Sequence, residues 1–587
     1  MKDTVPGLLF HRAALAGEAP CFFWKDASAP GGWASQNMEA SLRELAGVAR
    51  ALEALGAGPG VTTAILSDTR REWVAADLAN LCLGGVTVGV YPSLLPHQIA
   101  FQLAHSEVRI AIVEDADQAA KVAQIRDQVP TLEAVISLDE APGLRRLQAL
   151  AAPEDWGWLE ERARAVEPDD VATNIYTSGT TGAPKGAVLT HGNFVTVARA
   201  SRAAVPTRPG DRSLIFLPLA HSLQRFAVYR GLMEEDSEGW FTTIADFQEA
   251  LAAARPQVLA TVPRMLEKIR SRAQAKVAER GGVVKALFDW AFRVGLARSH
   301  CLETGAPVPL TVAAQYAIAD RLVFSRIRER LGGEMRCLVS GGAALNPEVA
   351  RWYHAMGITV LEGWGLTETS APATANREDD FRFGTVGKAI PEVELRIADD
   401  GEILVRGPGI FREYLKNPEA SAAALEGGWF HTGDIGTLDD EGFLRITDRK
   451  KEILVTAGGK NIPPLPIETR LEFSDFVEKA VVIGSERPYL VALLTPDEEN
   501  LDAWASQRGL PAEALAARLG RPGVRALFDA AMAAANEDQA RFEQVKKYTL
   551  LPTSFTDRSG ELTPTLKLKR RVINERYADA ITALYSG

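Results

Sequence analysis

Residues 176–186 read Tyr-Thr-Ser-Gly-Thr-Thr-Gly-Ala-Pro-Lys-Gly, directly after the apolar run Val171–Ile175. Four Ser/Thr hydroxyls, three glycines and one lysine share this one short segment. Glycines let a backbone close on a ligand and turn its N–H groups inward, hydroxyls donate to phosphate oxygens, and the lysine supplies charge. Pro184 stands where a Walker A loop needs glycine before its lysine, so the spacing is not that of the P-loop. An ordinary polar surface loop is the competing reading, and it leaves this density of phosphate-binding groups unexplained. The segment predicts a strand running into a polyphosphate-holding loop, with a nucleoside triphosphate as substrate.

Outward from this loop, helix-like stretches alternate with short apolar runs. Thr62–Leu66 and Val86–Val90 precede the loop, and Leu214–Leu217, Val258–Val262, Met335–Val339 and Thr359–Leu361 follow it. This alternation predicts α/β layers with helices covering a largely parallel sheet. Near Val393 the texture changes. Asp399-Asp400-Gly401 and Asp439-Asp440-Glu441 punctuate short apolar runs as tight turns do, which predicts a small β-rich subdomain closing the large one. The charged run Asp448-Arg449-Lys450-Lys451-Glu452 then lies between two patterned regions and reads as a hinge. Beyond it, Ala480–Ile483 and Leu490–Leu494 mix with alanine-rich helical sequence, an α+β domain. The expected boundaries are 1–447, a hinge at 448–452, and a mobile C-terminal domain at 453–587.

The 587 residues exceed what one core usually supports, which agrees with more than one domain. A net charge of −11 argues against nucleic-acid binding. Cys21, Cys82, Cys301 and Cys337 show no paired spacing and read as buried thiols of a reducing compartment. The first ten residues lack a secretory pattern, and no apolar run approaches the ~18 residues a membrane span needs. The expectation is a cytoplasmic protein, with at most peripheral contact on the inner membrane face.

Four further segments carry chemistry. Ser340-Gly341-Gly342-Ala343-Ala344 lies between a predicted strand and the helix start Asn346-Pro347-Glu348, the crevice where flat ligands bind, although any βα turn can look like this. Glu362-Gly363-Trp364-Gly365-Leu366-Thr367-Glu368-Thr369 combines an aromatic face for a base, a threonine for phosphate and a carboxylate suited to Mg²⁺. His431-Thr432-Gly433-Asp434 places an acid that can accept two ribose hydroxyls, or that forms an Asx-turn. Gly560 to Arg571 holds Lys567, Lys569, Arg570 and Arg571, by itself a basic tail or an anionic-lipid patch.

In order and spacing these segments resemble the adenylate-forming superfamily, specifically its long-chain fatty acid:CoA ligases, from about Leu42 to Arg571. The resemblance implies ATP, Mg²⁺ and coenzyme A as ligands and a fatty acid as acyl substrate, in a monomer or homodimer. It implies that Thr177, Ser178, Gly179, Thr180, Thr181, Gly182 and Lys185 manage the pyrophosphate. Gly341, Gly342 and Ala343 would line the adenine with Trp364 against its plane, in a loop that also includes Glu362, Gly363 and Gly365. Thr367 would contact the α-phosphate, Glu368 the Mg²⁺, and Asp434 the ribose beside Arg449. Lys451, with Asp448, would be the hinge and Lys567 the catalytic lysine. His221 would stand where the acyl, ATP and thiol routes meet.

The chain departs from the family pattern at Gln224, Ala344 and Arg412-Glu413. It departs also in the acidic run Met233–Trp240 near the expected acyl tunnel, where Trp240 is a gate or a packed surface residue. A carrier-protein phosphopantetheine as acceptor, and a non-catalytic acyl or nucleotide sensor, are the alternative readings.

Overall fold

The computed structural model describes residues 2–586 apart from 178–183, 206, 512 and 538. A seven-stranded sheet runs in the order Glu413–Tyr414, Lys185–Thr190, Val171–Thr177, Val86–Val90, Thr62–Leu66, Ile110–Val113, Ala134–Ser137. From Val171–Thr177 onward its strands are parallel. Thr62–Leu66 and Val86–Val90 are buried at every position, which is why they read as unbroken apolar runs and not as alternation. Val171–Thr177 returns antiparallel through Lys185–Thr190, so Thr177 faces Lys185 across the mouth of the phosphate-loop segment.

The expected α/β layers are present as layered subdomains, with the later strands in two further sheets. Val258–Thr261, Cys337–Ser340 and Thr359–Trp364 are parallel and continue into short antiparallel strands. Arg212–Ile215 pairs with Glu238–Phe241, which pairs with Pro20–Lys25 and its hairpin partner Trp33–Asn37. Buried apolar runs announce strands without naming their neighbours. The strand expected at Leu214–Leu217 stops at Ile215 for a local reason: the N–H groups of Phe216 and Leu217 donate to Gln224 Oε1 at 3.3 and 3.1 Å instead of to a neighbouring strand.

The β-rich unit is an antiparallel sheet of Glu394–Ile397, Glu402–Arg406, Phe430–Leu438 and Leu444–Arg449. Its register places Asp434 opposite Arg449. At its first turn Gly401 has φ +85°, a left-handed conformation that favours glycine. The C-terminal segment forms its own sheet, Val477–Ile483, Leu490–Pro496 and Val545–Leu550. Ile467, Leu471, Leu494 and Phe528 meet in a separate core there. This segment is α+β, and the whole architecture is mixed α/β with a large N-terminal and a smaller C-terminal part.

The C-terminal part leans on the helix Pro263–Arg280 through polar contacts. Arg264 pairs with Asp497 at 3.4 Å and Arg272 with Glu499 at 3.2 Å, Asn500 donates to Ser271 Oγ at 3.0 Å, and the Arg270 guanidinium lies 4.1 Å from the Phe473 ring centre. No helix among the described residues is long and apolar enough to cross a membrane. Cys21, Cys82 and Cys337 are buried as expected, whereas Cys301 is half-exposed.

A buried ionic cluster fixes the frame around the phosphate loop. Arg225 contacts both carboxylate oxygens of Asp77, and its Nη1 donates to Thr173 Oγ1 at 2.7 Å. Tyr229 accepts from Arg225 Nε and donates to Asp77, both at 2.6 Å. Burial opposes the Arg225 charge, but Asp77 and Tyr229 outweigh it and raise the pKa. Removing one partner leaves a buried charge alone, a loss of about 3–5 kcal/mol. Arg225→Met and Asp77→Leu should therefore each lower the urea midpoint strongly, and the double variant should lose far less than the sum. Strict additivity in that cycle would show the two groups to be uncoupled.

Candidate functional site

Strand ends build one wall of the site. Lys185, at the start of Lys185–Thr190, points its Nζ over the Tyr414 ring, 4.6 Å from the centre. Tyr414 donates its hydroxyl to Glu368 Oε1 at 2.8 Å. Burial and the neighbouring carboxylate both raise the Tyr414 pKa, so the phenol remains a donor. Glu368 is buried in the tight turn Thr367–Thr369, and its carbonyl accepts from Phe411 N at 2.8 Å. The turn requires its glycine: a Cβ on Gly365 would lie 1.9 Å from Ala371 O. Ser178, Gly179, Thr180, Thr181 and Gly182 fall outside the described residues.

A second wall follows the strand Cys337–Ser340. Gly342 takes φ +84°, and Gly342, Ala343 and Ala344 are exposed toward the site. Behind this loop Glu362 Oε1 accepts from Leu345 N at 3.1 Å. Glu362 thus holds the glycine loop from behind instead of facing a ligand. Burial pushes its pKa up to about 8, against the Leu345 hydrogen bond and Arg445.

Asp434 joins the β-rich unit to the Trp364 loop. Its Oδ2 accepts from Trp364 Nε1 at 2.8 Å, and its Oδ1 meets Arg449 Nε at 2.9 Å. Trp364 is therefore more than a flat face, because its indole N–H orients the acid expected at the ribose. Thr367 is buried beside this loop.

The third contribution comes from the far end of the chain. Lys567 follows Leu566 at φ +60°, in a loop closed by Thr563 N to Lys567 O at 2.8 Å and by Lys567 N to Thr563 Oγ1 at 3.0 Å. The side chain remains open to solvent inside the cleft, while the protein around its ammonium lowers the pKa by desolvation. Arg449 lowers it further, and Asp434, Glu368 and Glu452 oppose. His221 feels the same lysine. Burial first and Lys567 second bring its pKa down to about 4. Its Nδ1 accepts from Leu223 N at 3.2 Å, capping the helix Ser222–Gly231.

Lys451 is exposed. Asp448 is buried, and its carboxylate ties Arg449 N, within the charged run, at 2.6 Å to Leu465 N, beyond it, at 3.1 Å. Arg570, the residue that ends the basic run's buried part, binds Glu468 at 2.7 Å and Glu452 at 3.3 Å, so it serves the fold and not a lipid surface.

A cavity of about 190 Å³ opens beside Gly341, Gly363 and Trp364, passes His221 and follows the helix Ser222–Gly231. Phe22, Ile215, Phe226, Val228, Val258 and Val339 make it apolar along its length. Trp240 is not among its described lining residues. It is buried, stacked on Phe23 with ring centres 4.2 Å apart. Sequence reasoning missed Tyr414 and the Arg225 cluster. The first sits beyond any motif, and the second joins three distant segments.

The chain was compared with known proteins. The family description "AMP-binding enzyme" matches residues 9–415, and "AMP-binding enzyme C-terminal domain" matches residues 451–587. A Mycobacterium bovis protein named long-chain-fatty-acid–CoA ligase FadD15 is 39% identical over 561 residues, 95% of this chain and 93% of its own. The anthranilate CoA ligase AuaEII, solved with anthranoyl-AMP, superposes with TM-score 0.73 at 20% identity, covering 99% of this chain and 100% of its own. An o-succinylbenzoate coenzyme A synthetase from Bacillus subtilis, solved with ATP and a magnesium ion, gives TM-score 0.68 at 23% identity, covering 96% and 98% respectively.

Glu362 carries a pH signature. Its folded pKa lies above the ordinary 4.5, so the folded protein binds the proton more tightly than the unfolded chain does. Its contribution to stability should be full below about 4.5 and fall as pH rises toward about 8. Glu362→Gln keeps an acceptor for Leu345 N and cannot ionise. Urea midpoints taken across that window should favour the variant increasingly with pH. Parallel curves for parent and variant would place the carboxylate in a more polar setting.

Proposed function

The chain belongs to the AMP-binding enzyme family, and on that premise we propose that it is an ATP-dependent ligase joining long- or medium-chain fatty acids to coenzyme A. The supporting observation is one convergence. Lys567 stands among Arg449, Asp434 and Glu368 and beside His221, at the mouth of an apolar cavity. Fatty acid and ATP are both anions, and their reaction needs cations at the point where they meet.

In the first half-reaction a carboxylate oxygen attacks the α-phosphorus of ATP and the bond to the bridging oxygen breaks, giving acyl-AMP and pyrophosphate. Lys567 donates to the oxygens that gather charge there, the kind of preorganised contact that catalysis depends on. Asp434, oriented by Trp364 and Arg449, accepts the ribose hydroxyls. Lys185 and the phosphate-loop segment take the leaving pyrophosphate. His221, held neutral, stands between the cavity and Lys567, where the acyl carboxylate must pass. In the second half-reaction the coenzyme A thiol sulfur attacks the acyl carbon and AMP leaves.

Glu368 fits a Mg²⁺ role. Tyr414 engages only one of its oxygens, and Mg²⁺ is held typically by one or two carboxylates plus substrate phosphates. Bound there with ATP, the ion would neutralise phosphate charge. Four free thiols suit a reducing cytoplasmic compartment.

Lys567→Ala should slow pyrophosphate release by roughly 10²–10³. Thioester formation from supplied acyl-AMP should continue near the parent rate. Equal loss in both halves would remove Lys567 from the chemistry. Running the same assay with coenzyme A and with a holo-carrier protein distinguishes the two acceptors, and thioester on the carrier alone would overturn the coenzyme A reading.

A mobile C-terminal domain, hinged at 448–452, belongs to this proposal, because one lysine must serve the first step and then vacate the thiol's path. Lys451→Pro fixes φ near −65°. Adenylate should accumulate in this variant while transfer to coenzyme A falls sharply in single turnover. Transfer at the parent rate would move the hinge elsewhere, with Asp448 next to test.

A further inference from the structure

The apolar cavity ends in a polar wall. Arg12, on the buried face of the helix Val5–Ala16, reaches across to the turn after Ser222–Gly231. Its Nη1 donates to Gly231 O at 2.9 Å and to Ser237 Oγ at 3.0 Å, and its Nη2 donates to Ser237 O. The residue is 3% exposed, and its Nε has no partner among the described residues. Arg230 lies nearby, 8% exposed, held by Ser201 Oγ, Val205 O and Thr207 Oγ1. Both guanidinium groups line the cavity, and their hydrogen bonds go to neutral oxygens. Glu234, the buried acid of the run 233–240, bonds instead to Arg202 and Thr207.

We infer that Arg12 is the polar end-stop of the acyl channel and sets the length of chain this enzyme accepts. The inference rests on the acyl-ligase reading above. Three hydrogen bonds to Gly231 and Ser237 hold the guanidinium in place, so a chain that reaches Arg12 meets a filled wall that it cannot enter without breaking them.

The helix alongside gives the scale. Its ten residues run the length of the cavity. At the helical rise they span roughly 15 Å. A zigzag chain advances about 1.2 Å per bond, as the extended backbone does, so about a dozen carbons separate the carboxylate end from Arg12.

The test measures kcat/KM by pyrophosphate release for saturated acids from octanoate to stearate, in the parent, Arg12→Ala and Gly231→Leu. Gly231 lines the same end, and a Cβ there meets only Ser237 Oγ, at 3.8 Å, so added bulk projects into open space. The parent should peak near dodecanoate and lose about tenfold or more by stearate, the scale on which hydrophobic pockets discriminate. Arg12→Ala should move the peak toward palmitate, and Gly231→Leu should move it toward octanoate.

Unchanged profiles in both variants would overturn the end-stop. If Arg12→Ala does not fold, Arg12→Lys, which keeps the cation and shortens the wall, decides by the same shift. A parent that releases pyrophosphate with none of these acids would instead overturn the functional reading itself.

Discussion

One buried charge pair organises the catalytic half of this molecule. Arg225 and Asp77 are almost wholly withdrawn from water, and Thr173 and Tyr229 complete their hydrogen bonding. The helix Arg71–Cys82, the strand Val171–Thr177 and the helix Ser222–Gly231 are thereby tied at one point. Four residues beyond Thr173 stands Thr177, opposite Lys185. Four residues before Arg225 stands His221. The helix that carries Arg225 also forms the long wall of the apolar cavity. Such a pair contributes little net stability over apolar packing, yet each partner forbids alternatives that would strand the other. The strand end at Thr177, the histidine and the cavity wall are therefore tied to one frame.

The C-terminal part is attached by a different kind of force. Its contacts with the helix Pro263–Arg280 are ion pairs at the rim, Arg264 with Asp497 and Arg272 with Glu499. Arg272–Glu499 is exposed, and such pairs are worth about 0–1 kcal/mol, whereas Arg264–Asp497 is half-buried. Asp448 is the firmer tie, bridging Arg449 N and Leu465 N from a buried position. Burial pushes its pKa up to about 6. In the proposed two-step reaction, a firm frame and a C-terminal part seated by polar contacts would let one cation serve the first step and leave before the second.

Much of this was legible in the sequence because the relevant signals are local. The strand before the phosphate loop, the turns at Gly401 and Gly342, and the helix capped by Asn346 each follow from a few adjacent residues. Sheet membership was not legible. The strand Glu238–Phe241 found one of its partners in Pro20–Lys25, more than two hundred positions away. For the same reason Tyr414 escaped notice: its role depends on lying between Lys185 and Glu368, which are separated in sequence from it and from each other. Glu362 was grouped with the nucleotide loop because it adjoins Gly363 and Trp364, and its carboxylate instead accepts from Leu345 N, a contact that no adjacent residue announces.

Asp434 shows how a single carboxylate coordinates the site. Trp364 occupies one of its oxygens and Arg449 the other, so its orientation is fixed from two directions. Arg449 also lowers the Lys567 pKa, while Asp434 and Glu368 oppose that effect. The acid that would hold the ribose and the lysine that would act on the phosphate are thus electrostatically linked before any substrate arrives. A triphosphate bound there, as proposed, would add negative charge beside Lys567 and favour its protonated form, and loss of pyrophosphate would remove part of that charge.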